Sequence, residues 1–327
     1  MSVFRARVAI IGAGASGLAC GQRLREWGFD VVLFDKSRGP GGRVCTRRRE
    51  SDRFDHGAQY FTVSDPDFER DVKRWVSAGA VAEWEGRFGS WAAGSASPGE
   101  ARRARWVGQP RMSALPRAAA EGLEVRLESR VISLDREGEE WIVTDDKGVI
   151  AAGFDWVVVT CPGPQAQPLI PEKSPLHSVA ADLAYHACWA AMISFEEPVA
   201  WPYDGVRLDH PVLAWAARDS SKPGRAAGER WVLLAQPEWS LANVDETPEE
   251  VAELMVGALR DVTGSLPNVR DCAAHRWLYA RSSETALEAV SIDTERQLGL
   301  CGDGASGSRL EQAWLSGIEM ARCIAKV

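Results

Sequence analysis

The feature that most constrains the fold is a glycine-rich turn between two apolar runs near the start of the chain. Residues 8–11 read VAII, a short apolar run suited to a buried parallel strand. The sequence GAGASG follows at 12–17, and Gly28 is placed to end the helical pattern that comes after it. Residues 30–34 read DVVLF, and Asp35 stands at the end of this second apolar run. The order predicts a strand, a phosphate-binding turn, a helix and a second strand.

Each part of this unit has a physical task in binding a dinucleotide. Gly12 allows the tight turn, Gly14 lets the backbone approach a pyrophosphate, and Gly17 lets the helix pack against the sheet. The helix N-terminus offers free N–H groups and a partial positive charge to the phosphates. Asp35 would accept hydrogen bonds from the adenosine ribose, and its charge would repel a 2′-phosphate there. The predicted contacts are Gly12, Gly14, Ala15, Ser16, Gly17 and Asp35.

The same opening could be read as an export signal, because a basic start precedes an apolar stretch and Cys20. Three glycines interrupt that stretch, and the charged, helix-forming GQRLREW follows it. The net charge of -8 argues against a nucleic-acid partner. The seven cysteines form no CxxC, and no apolar run reaches the roughly 18 residues of a membrane span. We therefore expect a cytoplasmic protein with reduced thiols, without a metal site and without a membrane span.

The opening unit predicts an ADP-containing dinucleotide, and three further stretches favour FAD over NAD. They are KSRGPGGRVCT at 36–46, FDHGAQYFT at 54–62 and LGLCGDGASGSRLEQAWLSGIEMARCI at 298–324. Arg43 can neutralise a phosphate, and backbone groups near Gly57 can reach a flavin ring edge. The last stretch predicts a strand, an acid, a small-residue loop and a second helix N-terminus aimed at the ligand. The predicted FAD contacts here are Lys36, Gly42, Arg43, His56, Gly57, Ala58, Gln59, Gly302, Asp303, Arg309 and Leu310.

Together these stretches resemble the flavin-dependent amine oxidase superfamily of two-dinucleotide-binding-domain flavoproteins, and within it the bacterial renalases. The segments that carry the resemblance include FDKSRGPGGR, DHGAQYFTV, RWVGQPRMSAL, HRWLYAR and GDGASGSRLEQAWLSG, and they span most of the chain. SRVISL at 129–134 is also similar, and the resemblance implies that the backbone of Val131 contacts the adenine. It implies an α/β fold, in which a Rossmann-like FAD-binding domain is interleaved with an α+β substrate domain built on a mainly antiparallel sheet.

Because the cofactor motifs lie at both ends of the sequence, the FAD-binding domain must be discontinuous. We expect it over 1–70, 105–165 and 275–327, and the substrate-binding domain over 71–104 and 166–274. The predicted elements are strands at 188–195, 212–216 and 231–235, a hairpin around 146–148, and a helix over 247–264 that begins with a Thr247–Glu250 capping box.

No set of catalytic side chains is evident in the sequence. The five histidines form no metal-spaced cluster, and none of the six lysines stands on a strand expected over the flavin ring. The hydride step is therefore assigned to flavin N5, with no catalytic residue. A dihydropyridine donor suits this assignment, because loss of hydride makes it an aromatic pyridinium without a general base. The resemblance implies oxidation of 2- and 6-dihydro-NAD(P) to NAD(P)+, with dioxygen reoxidising the flavin to give hydrogen peroxide.

A stacked nicotinamide needs flat walls and a few polar tethers, and the segment after Ala58 offers both. Two alternatives stay open: an amine oxidase or desaturase of the same fold, and a flavin-free binding protein of the GDP-dissociation-inhibitor type. The oligomeric state and the choice between NAD and NADP forms of the substrate also stay open. The predicted substrate contacts are Gln59, Tyr60, Phe61, Thr62, Trp106, Trp215, Trp277 and His275.

Overall fold

A computed structural model describes residues 6–99, 103–283 and 290–327 of the chain. The strands in chain order are β1 (Arg7–Ile11), β2 (Asp30–Phe34), β3 (Arg47–Arg49), β4 (Asp52–Phe54), β5 (Val81–Glu83), β6 (Phe88–Ala92), β7 (Ser95–Pro98), β8 (Trp106–Gly108), β9 (Glu124–Arg126), β10 (Val131–Glu137), β11 (Glu140–Asp145), β12 (Gly148–Phe154), β13 (Trp156–Val159), β14 (Tyr185–Phe195), β15 (Gly205–Leu208), β16 (Leu213–Arg218), β17 (Glu229–Ala235), β18 (Val269–Ser282), β19 (Val290–Asp293) and β20 (Leu298–Cys301). The α-helices are α1 (Ala15–Glu26), α2 (Pro66–Ser77), α3 (Ala114–Ala119), α4 (Gly163–Ala166), α5 (Pro175–Asp182), α6 (Pro237–Ala242), α7 (Pro248–Thr263), α8 (Asp303–Ser306) and α9 (Leu310–Lys326), and short 3-10 helices span Gln167–Leu169 and Asp219–Ser221.

The cofactor half is built on a six-stranded sheet in the order β19-β20-β13-β1-β2-β9. The five strands from β20 to β9 are parallel, and β19 joins the edge antiparallel. The central strands are apolar along their length because both sheet faces are covered. One face packs on α1, α2 and α9, and the other packs on α5 and the sheet of β10, β11 and β12. The predicted Rossmann-like arrangement is confirmed.

The second half is built on a seven-stranded sheet in the order β18-β14-β17-β16-β15-β6-β7. All its pairs are antiparallel except β15 with β6, so the predicted mainly antiparallel sheet is confirmed. Helix α7 covers one face with Val251, Met255 and Leu259, which meet Trp189 and Leu233 of the sheet. The helix begins at the predicted capping box, in which the Thr247 side chain and the Glu250 side chain satisfy each other's backbone N–H.

The domain boundaries stay a prediction, and packing suggests where they lie. Phe68 and Trp75 of α2 contact Trp314 of α9, in the core of the cofactor half. The last residues of β18, by contrast, pair with β14 in the seven-stranded sheet. We therefore propose that α2 belongs to the FAD-binding half and that residues 275–282 belong to the substrate half.

The strand pairing also confirms one local prediction. Strands β11 and β12 form the predicted hairpin, and Asp145 is the register partner of Gly148. Among the helices that the structure describes, none is long and apolar enough to cross a membrane.

Candidate FAD and substrate site

The glycine-rich turn between β1 and α1 has the shape that a pyrophosphate requires. Gly12 has φ +112°, and a Cβ at this position would lie 2.6 Å from the Thr160 hydroxyl. A Cβ on Gly17 would overlap the carbonyl oxygen of Gly12, so close packing of α1 excludes any larger residue. A Cβ on Gly14 would meet no atom within 4 Å, so this glycine borders open space. Within the part of the chain that the structure describes, no side chain caps α1, so its first N–H groups are left for a ligand. The turn therefore fits a dinucleotide.

Asp35 links the end of β2 to this turn through a hydrogen bond of its side chain. Its buried carboxylate accepts hydrogen bonds from the N–H groups of Ala13 and Ser37, both at 2.8 Å. The Ser129 N–H donates to the Asp35 carbonyl at 2.9 Å, which brings the start of β10 and Val131 alongside. The predicted adenosine contacts at Asp35 and Val131 therefore lie together. The exposed Lys36 instead donates to the Gln165 side chain at 3.1 Å.

The N-terminal and C-terminal segments meet at the site. Ser16 Oγ lies 3.2 Å from Cys301 Sγ, and a Cβ on Gly317 of α9 would overlap the Ser16 carbonyl. The Arg43 guanidinium forms a two-pronged ion pair with Asp303, with both N···O distances at 2.7 Å. Arg43 is predicted to neutralise a phosphate, but in the structure its guanidinium is already paired with the Asp303 carboxylate.

The segments around Arg43 and Ala58 also pack on each other. The Ala58 N–H donates to the Arg43 carbonyl at 3.0 Å, and a Cβ on Gly57 would overlap the same oxygen. Gly42 lies against Gly14, since a Cβ on Gly42 would be 3.7 Å from the Gly14 Cα. The stretches around Gly14, Gly42 and Gly57, which are all predicted to contact FAD, thus form one continuous wall.

The N-terminus of α9 is held in place by Glu311. Its carboxylate accepts from the Ser64 N–H and hydroxyl, both at 2.6 Å, and from the Asp65 N–H at 2.8 Å. Burial would raise the pKa of Glu311, but these hydrogen bonds bring it below its ordinary value. The helix begins after Arg309, with Leu310 as its first residue.

His56, His275 and Trp277 form an aromatic cluster. The ring centroids are 5.0 Å apart for His56–His275 and His56–Trp277, and 4.5 Å apart for His275–Trp277. Burial, with the charges of His275 and Arg47, lowers the pKa of His56 to about 3. Burial and Arg47 lower the pKa of His275 to about 4. Both imidazoles are therefore neutral at pH 7 and pack as rings.

A buried charge network lies beside Gln59, and the sequence does not predict it. The Lys222 ammonium is 2.6 Å from Asp219, 3.6 Å from Asp55 and 3.4 Å from the Gln59 side-chain oxygen. Arg225 also pairs with Asp55. Burial would raise the pKa of Asp55, but the charges of Lys222 and Arg225 bring it below its ordinary value. For Asp219 burial is the larger effect, and its pKa is raised. The one local signal is the Asp219–Lys222 spacing of three residues directly after β16.

A cavity of about 370 Å³ lies on the seven-stranded sheet and combines aromatic, apolar and cationic walls. Trp215 turns away from the α7 side and packs toward Tyr60, with ring centroids 5.5 Å apart. Its buried indole N–H has no hydrogen-bond partner within the described part of the chain. Burial raises the pKa of Cys188 to about 11, so this thiol stays uncharged at neutral pH. The side chains that line the cavity include Cys188, Arg207, Trp215, Leu234, Gln236 and Arg281.

Only Trp215 among the predicted substrate contacts lines this cavity, and Tyr60 contacts Trp215. Phe61 packs in the core against Phe68, and its backbone pairs with Trp106. Gln59 turns its amide toward the Asp55 and Gly57 carbonyls. Trp277 donates its indole N–H to the His56 carbonyl at 2.9 Å.

Of the remaining candidates, Thr62 is half-buried and His275 belongs to the aromatic cluster. Arg207 and Arg281 line the cavity without having been predicted as contacts. Arg281 closes the segment HRWLYAR, which was the only signal available for it.

The sequence matches the family model for flavin containing amine oxidoreductases over residues 83–325. Residues 10–76 match the model for NAD(P)-binding Rossmann-like domains. A zeta-carotene-forming phytoene desaturase of Myxococcus xanthus is 54% identical over 41 residues, which cover 12% of this chain and 8% of that protein. A 4,4'-diapophytoene desaturase (4,4'-diaponeurosporene-forming) of Staphylococcus aureus is 36% identical over 66 residues, which cover 20% of this chain and 13% of that protein. These alignments span only a small part of the relatives' length.

Solved structures resemble the chain over nearly its whole length. The "Putative protoporphyrinogen oxidase from Exiguobacterium sp. 255-15" superposes with a TM-score of 0.74 and 14% identity, covering 98% of each chain. A redesigned putrescine oxidase double mutant superposes with a TM-score of 0.70 and 13% identity, covering 99% of this chain and 100% of that one. At such low identity the likeness shows the fold alone.

Proposed function

The chain belongs to the family of flavin containing amine oxidoreductases, whose cofactor is FAD, and we propose that it oxidises isomeric dihydronicotinamides. The substrates are 2- and 6-dihydro-NAD(P), the oxidised product is NAD(P)+, and dioxygen accepts the electrons to give hydrogen peroxide. FAD, when bound, supplies the acceptor for one hydrogen with two electrons and passes them on to dioxygen. The protein then has to bind the substrate, orient its ring and exclude water.

The residues proposed to hold FAD are those of the wall described above. The first turn of α1 and the open space at Gly14 face the pyrophosphate, and Asp35 lies on the adenosine side. Asp303 and the start of α9 face the remainder of the cofactor. Each of these contacts stays a prediction, supported by the convergence of both chain ends on the turn.

The observation that carries the substrate proposal is the Trp215 wall of the cavity. A nicotinamide is flat, so it can stack on the indole, and its carboxamide oxygen can accept the unpartnered Trp215 N–H. None of the described residues that line this cavity is Asp, Glu, His or Lys, so the wall itself offers no general base. A dihydropyridine needs none, because its oxidation gives an aromatic cation without proton removal.

An amine oxidase is the second candidate, and Lys222 is the observation that favours it. This lysine is buried beside Gln59, which follows the segment predicted to meet the flavin. The guanidinium groups of Arg207 and Arg281, however, would repel an alkylammonium substrate in the cavity.

Anaerobic mixing of the purified flavoprotein with a panel of reductants tests the proposal. The panel contains 2-dihydro-NAD, 6-dihydro-NAD, ordinary NADH, tyramine and putrescine, and the flavin's visible absorbance is followed. We expect rapid bleaching by the first two compounds, and NAD+ and hydrogen peroxide in equal amounts after air is admitted. Bleaching by the amines alone would refute the proposal in favour of an amine oxidase. A colourless chain that takes up no FAD would instead indicate a binding protein.

A further inference from the structure

The cavity on the seven-stranded sheet has two arginines on its wall, Arg207 and Arg281. In the register of the sheet Arg207 lies opposite Trp215, and Trp215 lies opposite Leu234. The three side chains therefore share one face, which is the face turned away from α7. Arg281 reaches the same cavity from β18, an edge strand of the sheet that β14, β17 and β16 separate from β15. Both arginines are exposed, whereas Trp215 is half-buried, so the cations mark the mouth of the cavity.

Arg207 and Arg281 have no counter-ion among the described residues. Across residues 6–99, 103–283 and 290–327, no carboxylate lies within ion-pair distance of either arginine. Other arginines on or beside this sheet are paired, as Arg218 is with Asp204 and Glu229, and Arg49 is with Asp271. Two guanidinium groups without a counter-ion give the mouth of the cavity a positive potential, which favours an anionic ligand.

We propose that Arg207 and Arg281 bind the diphosphate of the substrate dinucleotide while its nicotinamide lies against Trp215. This inference rests on the proposed function and adds the residues that would distinguish a dinucleotide from a smaller dihydronicotinamide. A guanidinium matches phosphate oxygens with two parallel N–H donors, which gives both strength and orientation. The exposed mouth holds the anion, which costs little desolvation, and the half-buried wall holds the ring.

The test compares Arg207→Gln and Arg281→Gln with the control Arg260→Gln. Arg260 is an exposed residue in the last turn of α7, on the opposite side of the same sheet, so its replacement removes the same charge away from the cavity. The substrates are 6-dihydro-NAD and the corresponding dihydronicotinamide riboside, which has the same ring without phosphates. FAD content is measured for every variant, and calorimetric titration with NAD+ gives a binding constant independent of turnover.

We expect each cavity variant to raise the KM for 6-dihydro-NAD by about tenfold, with kcat unchanged, as loss of one charge-assisted contact predicts. The Kd for NAD+ should rise by the same factor, whereas the KM for the riboside and all constants of Arg260→Gln should match the wild type. Equal effects on dinucleotide and riboside would overturn the inference in favour of a structural role. Loss of FAD from the cavity variants would assign the arginines to the cofactor and overturn it as well.

The result with the wild-type protein separates this inference from the proposed function. Oxidation of both compounds with the same KM would overturn the diphosphate site and leave the proposed function standing. Oxidation of neither compound would overturn the proposed function, and the diphosphate site would fall with it.

Discussion

Two glycines of the same turn should respond differently to replacement by alanine: Gly17→Ala should lower the stability of the protein, and Gly14→Ala should lower its affinity for FAD. In Gly17→Ala the new methyl would overlap the Gly12 carbonyl oxygen and lie 3.0 Å from the Thr160 hydroxyl. Because both neighbours are fixed by the sheet, α1 has to move away from the turn. In Gly14→Ala the methyl meets no protein atom within 4 Å, and the backbone there, with φ -76° and ψ -173°, accepts any L-residue.

The expected magnitudes follow from these contacts. Overpacking at a rigid junction costs about 3 kcal/mol, and we expect Gly17→Ala to lose that much stability without FAD. For a chain of this size the loss corresponds to a Tm lowered by roughly 4 °C. Gly14→Ala should change the stability of the FAD-free protein by less than about 1 kcal/mol, since alanine caps a helix slightly worse than glycine but stiffens the unfolded chain. Its methyl would occupy the space that we propose for the pyrophosphate, so FAD affinity should fall at least tenfold, or about 1.4 kcal/mol.

The assay is thermal unfolding of the FAD-stripped protein followed by circular dichroism, combined with titration of FAD by flavin fluorescence. The wild type and both variants are measured in the same buffer. A Gly14→Ala protein that binds FAD as tightly as the wild type would show that the open space is not the pyrophosphate site. An equal loss of Tm in the two variants would show that the turn is not packed as described.

Three further outcomes are expected. Trp215→Phe should raise the KM for the dihydronicotinamide about tenfold without loss of Tm, because the indole N–H that it removes has no partner among the described residues. The control Trp84→Phe breaks a 3.1 Å hydrogen bond to Ser221 and should cost about 1 kcal/mol of stability without changing the KM. Lys222→Met should lower the free energy of unfolding in urea at pH 7 by about 3–5 kcal/mol, since it leaves the buried carboxylates of Asp219 and Asp55 without this cation. An unchanged midpoint of the urea transition would contradict the charge network. The pKa of His56 in the folded protein lies below the unfolded value of 6.5, so its contribution to the free energy of unfolding is present above pH 6.5 and falls as the pH drops toward 3. About 2 kcal/mol should be lost by pH 5. A His56→Phe variant should therefore show a shallower dependence of the unfolding free energy on pH than the wild type.

Local patterns predicted one element of each half closely. The strand predicted at 30–34 coincides with β2, and the helix predicted over 247–264 is α7 within one residue at each end. Both are specified by neighbouring residues: an apolar run that ends at Asp35 in the first case, and the Thr247–Glu250 box in the second. Such signals need no knowledge of distant partners.

The proposed substrate surface could not be predicted in the same way, because the register of the sheet brings its residues together. Arg207, Trp215 and Leu234 are neighbours only through the pairing of three strands, and no local pattern reports that pairing. Phe61 was predicted as a substrate contact because it adjoins Tyr60 in the sequence, but it packs in the core. It follows Tyr60 directly, yet Tyr60 turns toward Trp215 and Phe61 turns into the core, since successive side chains of an extended segment point to opposite sides.

The junction between Ser16 and Gly317 also makes the glycine-rich turn depend on a segment that lies about three hundred residues later in the sequence. The strip of α1 that carries Ser16 and Ala19 is covered by α9. A fragment that stops before α9 would leave this strip uncovered, although its turn would be intact. We therefore expect such a fragment to bind FAD much more weakly than the full chain, which a flavin titration of the two proteins would measure.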